Sequence, residues 1–215
     1  MTVAVFLPFL LLNFAQPNLA NVTEKSTTID APTTLVVERA KINRSYLASV
    51  AYAALKRHLA QAEQKTSLND FAASFAVPPQ FRKHAGVFVT FSKAGKTRAC
   101  WGSLSTSFDN LVRATVFTTE QALTDEYRYS KITSSELDSL KPQVTVVKST
   151  EPLRNLSEQN PRTCGMLVRS GGKSGVILPG ECTDAYYQFV QCKLKAGIKR
   201  NEPCQIYRIR ADVYR

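Results

Sequence analysis

One cysteine stands apart from the rest. Cys100 follows Arg98 by two positions, whereas Cys164, Cys182, Cys192 and Cys204 crowd the C-terminal quarter of the 215-residue chain. A nearby guanidinium favours the thiolate that nucleophilic and redox chemistry require, which makes Cys100 the candidate catalytic residue, a reactive thiol. The competing reading is a small buried hydrophobe, because unpaired cysteine is among the most buried residue types. The two histidines are His58 and His84; neither adjoins Cys100 in sequence, and a dyad with His84 requires the fold to bring them together. Arg98, Arg128 with Glu126, and Arg169 with Lys173 are candidates for an anion-binding pocket, since planar guanidinium groups grip carboxylate and phosphate through paired hydrogen bonds. For each of them the alternative is a solvated or internally paired side chain. The stretch Ser170-Gly171-Gly172-Lys173-Ser174 lacks the Gly-x-x-x-x-Gly-Lys-Ser spacing and lies between two strand patterns, so a nucleotide P-loop is set aside. With no Cys-x-x-Cys pair and two histidines, the sequence offers no metal site and implies no cofactor.

The elements that must position these residues follow from periodicity. Ser45 reads as the N-cap of an amphipathic helix to about Gln64, with His58 on its buried stripe as a hydrogen-bonded core residue. Residues 65–85, with Pro78 and Pro79, read as irregular. Gly86 to Phe91 and Thr97 to Leu104 form an antiparallel hairpin about Lys93-Ala94-Gly95, which places Cys100 on one face and Ala99 and Trp101 on the other. Ser107 or Asp109 caps a helix through Leu123. Thr133-Ser-Ser-Glu136 is a capping box opening a short helix to Leu140, and Gln143 to Val147 is a strand. A second hairpin, 165–169 with 175–178, turns at Gly171-Gly172, Asp184 caps a helix to about Ala196, and Cys204 to Arg210 is a last strand. The fold class is α/β (α+β): a mainly antiparallel sheet with flanking helices and a smaller C-terminal sub-lobe beyond the polar stretch 149–163.

Hydrophobic residues at 44% and charged residues at 21% exclude a disordered chain. The net charge of +11 would draw in anions but selects none. Basic residues are mildly enriched in Lys193, Lys195, Lys199, Arg200, Arg208, Arg210 and Arg215, read as a solvated face. Nucleic-acid binding is therefore expected to be weak and sequence-indifferent. The apolar run Val3 to Leu12, followed by polar residues and Ala20, reads as a secretory signal peptide (residues 1–20) cleaved after Ala20, and is too short for a transmembrane anchor. Residues 21–32 read as a linker and 33–215 as a single domain. Secretion or a periplasmic location follows from the leader, with the cytoplasm as the alternative. In an oxidising compartment the four C-terminal cysteines could close two bridges and leave Cys100 free; otherwise all five stay reduced.

Three stretches together resemble the AMMECR-one family (AmmeMemoRadiSam system protein A). Thr97-Arg98-Ala99-Cys100-Trp101-Gly102-Ser103 is similar to the family's Leu-Arg-Gly-Cys-Ile-Gly-Thr, with Ala99 for a Gly and Trp101 for an Ile. Glu126-Tyr127-Arg128-Tyr129 before Ile132-Thr133 is similar to its Asp-Pro-Arg-Phe-Pro-Pro-Leu-Thr segment. The hairpin from Gly165 through Gly171-Gly172 to Pro179 resembles its C-terminal hairpin. The resemblance implies an accessory or binding partner of a Memo-type protein and a radical S-adenosylmethionine protein, with no activity of its own established. The alternative is an enzyme acting on a small anionic substrate with Cys100 as the thiol.

Overall fold

The computed structural model describes residues 31–60 and 66–215, with side chains in the first helix described from residue 45 onward. The expected leader (1–20), residues 21–30 of the expected linker, and the expected helix end at Gln64 lie outside the described residues. Helix α1 spans Ala31–Leu59. Ser45 is thus interior to a helix and not its N-cap. Pro32 sits in the first turn, where its missing N–H costs nothing, and the residues after it carry no helix breaker. The expected stripe is correct in its second half: Leu47, Val50, Ala51, Ala54 and Leu55 are all buried.

The segment expected to be irregular contains a short helix, α2 (Leu68–Ala73), capped by the Ser67 side chain accepting from the Asp70 N–H. Strands β1 (Val87–Lys93) and β2 (Lys96–Gly102) form the first hairpin. Helix α3 (Leu111–Thr124) is capped by Asn110 rather than by Ser107 or Asp109. The Thr133 capping box is present and opens a 3-10 turn, Ser134–Ser139. Strand β3 (Lys141–Pro152) runs past the expected end at Val147, because its polar half pairs with the last strand and Glu151 meets Arg210 across the pair at 3.0 Å. Strands β4 (Cys164–Ser170) and β5 (Lys173–Ile177), helix α4 (Ala185–Lys195) and strand β6 (Gln205–Tyr214) complete the fold.

All six strands join one antiparallel sheet in the order β2-β1-β3-β6-β4-β5. Each strand sends alternate side chains to opposite faces. On one face, Val87, Val89, Phe91, Val144 and Val146 pack against α1 and α3 in the main core. Further along the same face, Met166, Val168 and Ile177 pack under α4 with Cys182 and Cys192. This satellite core lies in the region of the expected C-terminal sub-lobe, but the pairings of β6 with β3 and β4 keep it in the same sheet, and β3 runs to Pro152, into the expected boundary. Buried Gln188 on α4 is satisfied by Gln159 at 2.9 Å and the Cys164 carbonyl at 3.1 Å, which ties the helix to β4. The opposite face carries Phe88, Cys100, Val147, Leu167 and Ile209 in a third cluster. Residues of β2 and of β5, the two ends of the strand order, line a common cavity there, so the sheet is curled. Among the described residues no helix is long and apolar enough to cross a membrane.

Candidate functional site

Cys100 lies on the inner face of β2, opposite Thr90 of β1, and is 7% exposed. The Thr90 hydroxyl donates to its Sγ at 3.3 Å. Burial pushes the thiol above its ordinary range, and the Glu181 carboxylate adds to this. The Thr90 hydrogen bond and the charges of Lys195 and Arg128 pull the other way without prevailing. Cys100 is therefore a protonated thiol at neutral pH. His84 is exposed and lines neither cavity that Cys100 borders. His58 instead meets Glu120 at 3.0 Å on the helical side of the sheet.

The backbone of Cys100 holds the second motif in place. An edge strand turns the N–H and C=O of every second residue outward, unpaired. At Cys100 the outward N–H donates to Glu126 Oε2 at 3.3 Å, and Arg128 Nη2 donates to the outward carbonyl at 3.1 Å. Arg128 Nε and its backbone N–H both donate to Glu126 Oε1, at 2.8 and 2.9 Å. The Glu126–Arg128 pair thus occupies the place of one residue of a neighbouring strand. Burial raises the Glu126 carboxyl, but the donors from Arg128 and Cys100 outweigh it and hold the group below its usual range. Glu126 is an internal partner of Arg128 and not itself an anion holder.

Arg98 leaves the proposed pocket altogether. Phe91 pairs with Ala99 and Ser92 with Thr97, so Arg98 is the extra residue of a β-bulge. Its guanidinium pairs with Glu136 at 2.9–3.0 Å and donates to the carbonyls of Ser130 and Lys131. These bonds fasten the 126–136 segment to the hairpin. The Arg98 hydrogen bonds pull the Glu136 carboxyl down to about 2. Lys173, at the second hairpin's tip, pairs with Glu202 at 3.3 Å and lines a separate hollow with Gly171 and Gly172. Those glycines have φ of 52° and 84°, the left-handed pair that a two-residue turn needs. Ala99 is buried in the main core, and Gly102 brings β2 against Phe88, where an added Cβ would lie 2.5 Å from its Cα.

What the fold does bring together is a cleft between the sheet edges. A cavity of about 710 Å³ is bounded by Cys100, Trp101 and Gly102 of β2, by Tyr127 and Arg128, by Arg169 of β4, and by Leu194 and Lys195 of α4. Its lining contains the cations Arg128, Arg169 and Lys195 and no carboxylate. Arg169 lies 5.7 Å from the Tyr207 ring, and Lys195 Nζ donates to the Val176 carbonyl at 2.9 Å. A second cavity of about 570 Å³ shares Cys100, Arg128, Leu194 and Lys195 with the first and adds Tyr129, Glu181 and Tyr187. Of the sequence-derived anion holders, Arg128 and Arg169 meet here, whereas Arg98 and Lys173 do not. Lys195, Tyr127 and Leu194 were missed. Lys195 stood in the C-terminal basic enrichment but looked solvated, and the only local signal for the aromatics was the Tyr-Arg-Tyr interleaving. Among the described residues no group of three or more His, Cys, Asp or Glu side chains converges as a metal site, and all five cysteines are free.

The geometry defines a class: an open, curled six-stranded antiparallel α/β domain with a preformed cationic cleft at the seam. The AMMECR1 family model matches residues 48–215, and the chain belongs to that family. It is 32% identical over 145 residues to a protein of Thermotoga maritima, covering 65% of this chain and 83% of that one. A protein of Methanothermobacter thermautotrophicus is 27% identical over 185 residues, covering 78% and 91%. The structure of the uncharacterized protein PH0010 from Pyrococcus horikoshii superposes with a TM-score of 0.65 at 22% identity, covering 79% of this chain and 89% of that one, and shows the same fold.

Proposed function

We propose that the protein is a non-catalytic binding component whose cleft receives an anionic group, acting as the accessory partner of a Memo-type protein and a radical S-adenosylmethionine protein. The observation that carries the binding role is the cleft lining, which presents Arg128, Arg169 and Lys195 and no carboxylate. Arg128 is held by Glu126 behind the wall, so Arg169 and Lys195 are the cations without a carboxylate partner in the lining. Charges of one sign in a preformed concavity focus the field on a ligand of the other sign. Burial of Cys100 and the upward shift of its thiol favour binding over thiol chemistry. The partnership rests on family membership alone.

Trp101 is the single tryptophan of the chain and borders the cleft, so its emission reports occupancy. Titration with phosphate and with short dicarboxylates is expected to give a saturable change that Lys195→Glu removes. No change with any anion would sink the binding role. Sedimentation of the protein with the Memo-type protein of the same cells tests the partnership. Independent sedimentation of the two would remove that part of the proposal and leave the cleft intact.

A further inference from the structure

Building on the anion-binding reading of the cleft, we infer that its occupant is an extended acidic polypeptide segment, lying strand-like between β2 and β5. The first ground is the backbone on both walls. Cys100 turns its peptide groups outward, so by alternation Gly102 does too. Ser103 N–H, one residue on, points back to the Val87 carbonyl at 3.1 Å, which keeps the phase. On the other wall the Val176 carbonyl faces outward to Lys195, so Ser174, two residues before it, also presents its peptide groups outward. Gly102 and Ser174 both line the 710 Å³ cavity. Peptide groups presented on a concave wall are the recognition element of strand addition.

The second ground is extent. The two cavities adjoin, sharing Cys100, Arg128, Leu194 and Lys195 in their walls, so an extended occupant that passes these residues reaches both, as a compact metabolite does not. The third is the placement of exposed apolar groups. Among the described residues the large exposed hydrophobics are Tyr127, Tyr129, Tyr186, Tyr187 and Leu194. All but Tyr186 line one or both cavities. Apolar surface gathered along a groove marks an interaction site. A strand sends successive side chains to opposite sides, so one with alternating carboxylates and apolar side chains satisfies the cations and the apolar rims together. Aromatic and basic residues side by side also suit single-stranded nucleic acid. Glu181 in the second cavity argues against that occupant, because every unit of a phosphate chain carries charge past its carboxylate, whereas an alternating peptide presents an apolar side chain there and keeps its carboxylates for the cations.

The test uses the full chain and a fluorescein-labelled octapeptide of alternating Glu and Val, followed by anisotropy and by Trp101 emission. Saturable binding is expected, weakened roughly tenfold by Arg169→Glu and by Lys195→Glu. Both side chains are exposed, and circular dichroism of the variants confirms their fold. N-methylation of alternate peptide amides, which removes strand pairing and leaves the carboxylates, is also expected to weaken binding. Unchanged affinity after N-methylation would overturn the strand-like mode. Glutarate binding as tightly as the peptide would overturn the polypeptide occupant while the anion-binding reading survives. Tighter binding of octathymidylate would reassign the groove to nucleic acid. If no anionic probe binds, the inference and the reading beneath it fall together.

Discussion

Glu126 illustrates how a residue that looks functional can be structural and still shape a site. It is 5% exposed, and its carboxylate accepts from the edge amide of Cys100 and from Arg128. Replacing it with Gln removes the charge from every one of these bonds. The expected loss is about 2 kcal/mol of folding stability, since hydrogen bonds to charged groups contribute ~1.5–3 kcal/mol each and the guanidinium is left uncompensated. Urea denaturation measures it, and a loss near zero would show that the edge needs no such cover. Glu136 gives a pH-dependent counterpart. Its folded pKa of about 2 lies below the ordinary 4.5, so its stabilisation is complete above pH 4.5 and is lost as the pH falls toward 2. Glu136→Gln is therefore expected to flatten the fall in stability between pH 5 and pH 2. Parallel curves for the two proteins would place the acid sensitivity elsewhere. Thiol reactivity separates the cysteines by burial. In the native protein Cys164 and Cys204, which are partly exposed, should react promptly with a disulfide reagent, whereas Cys100, Cys182 and Cys192 should wait for unfolding. Burial raises the Cys192 thiol to about 12, which slows it further. Prompt labelling of Cys100 would reopen the thiol-enzyme alternative.

At the scale of the elements, the two hairpins make opposite use of the same turn. Ala94 takes φ of 50° and Gly95 takes 77°, while the second hairpin places glycine at both positions. A side chain in the left-handed region costs about 1 kcal/mol, so Ala94→Gly should stabilise the protein by roughly that amount and Gly171→Ala should cost the same. Neither change meets a steric obstacle at Gly171, where an added Cβ finds no atom within 4 Å, so unfolding midpoints read the backbone term directly. Gly175→Ala is different: its Cβ would sit 2.2 Å from the Cys192 carbonyl and must push α4 off β5, at about 1–3 kcal/mol. Both hairpins, the Asp184 cap and the Thr133 capping box were legible in the sequence because their signals lie within a few residues. The start of α1 was not, because nothing in the sequence separates a helix running from Pro32 through Ser45 from one beginning at Ser45. Arg98 was misread for a related reason. A bulge depends on the register of two strands, and that register is invisible until the partner is known. The cleft draws its walls from β2, β4, β5 and α4, so Cys100, Trp101 and Gly102 could be singled out by motif and Arg128 and Arg169 by charge, without knowing that all five share it.

For the whole molecule, the place of β6 in the strand order has a consequence for synthesis. It is the last strand in chain order, yet it lies between β3 and β4 and is the sole bridge joining the two halves of the sheet. A chain emerging from the ribosome in order therefore exposes β3 and β4 as unpaired edges until residues 205–214 are free to insert. Pairings of such long sequence separation form late, and open edges of this kind invite association with other chains. A chain cut after Ile198 is expected to aggregate rather than fold, and its solubility beside that of the full chain is the measurement that decides. During translation the domain thus spends its most vulnerable interval with five strands made and β6 still to insert, when a chaperone that shields strand edges would matter most to its yield.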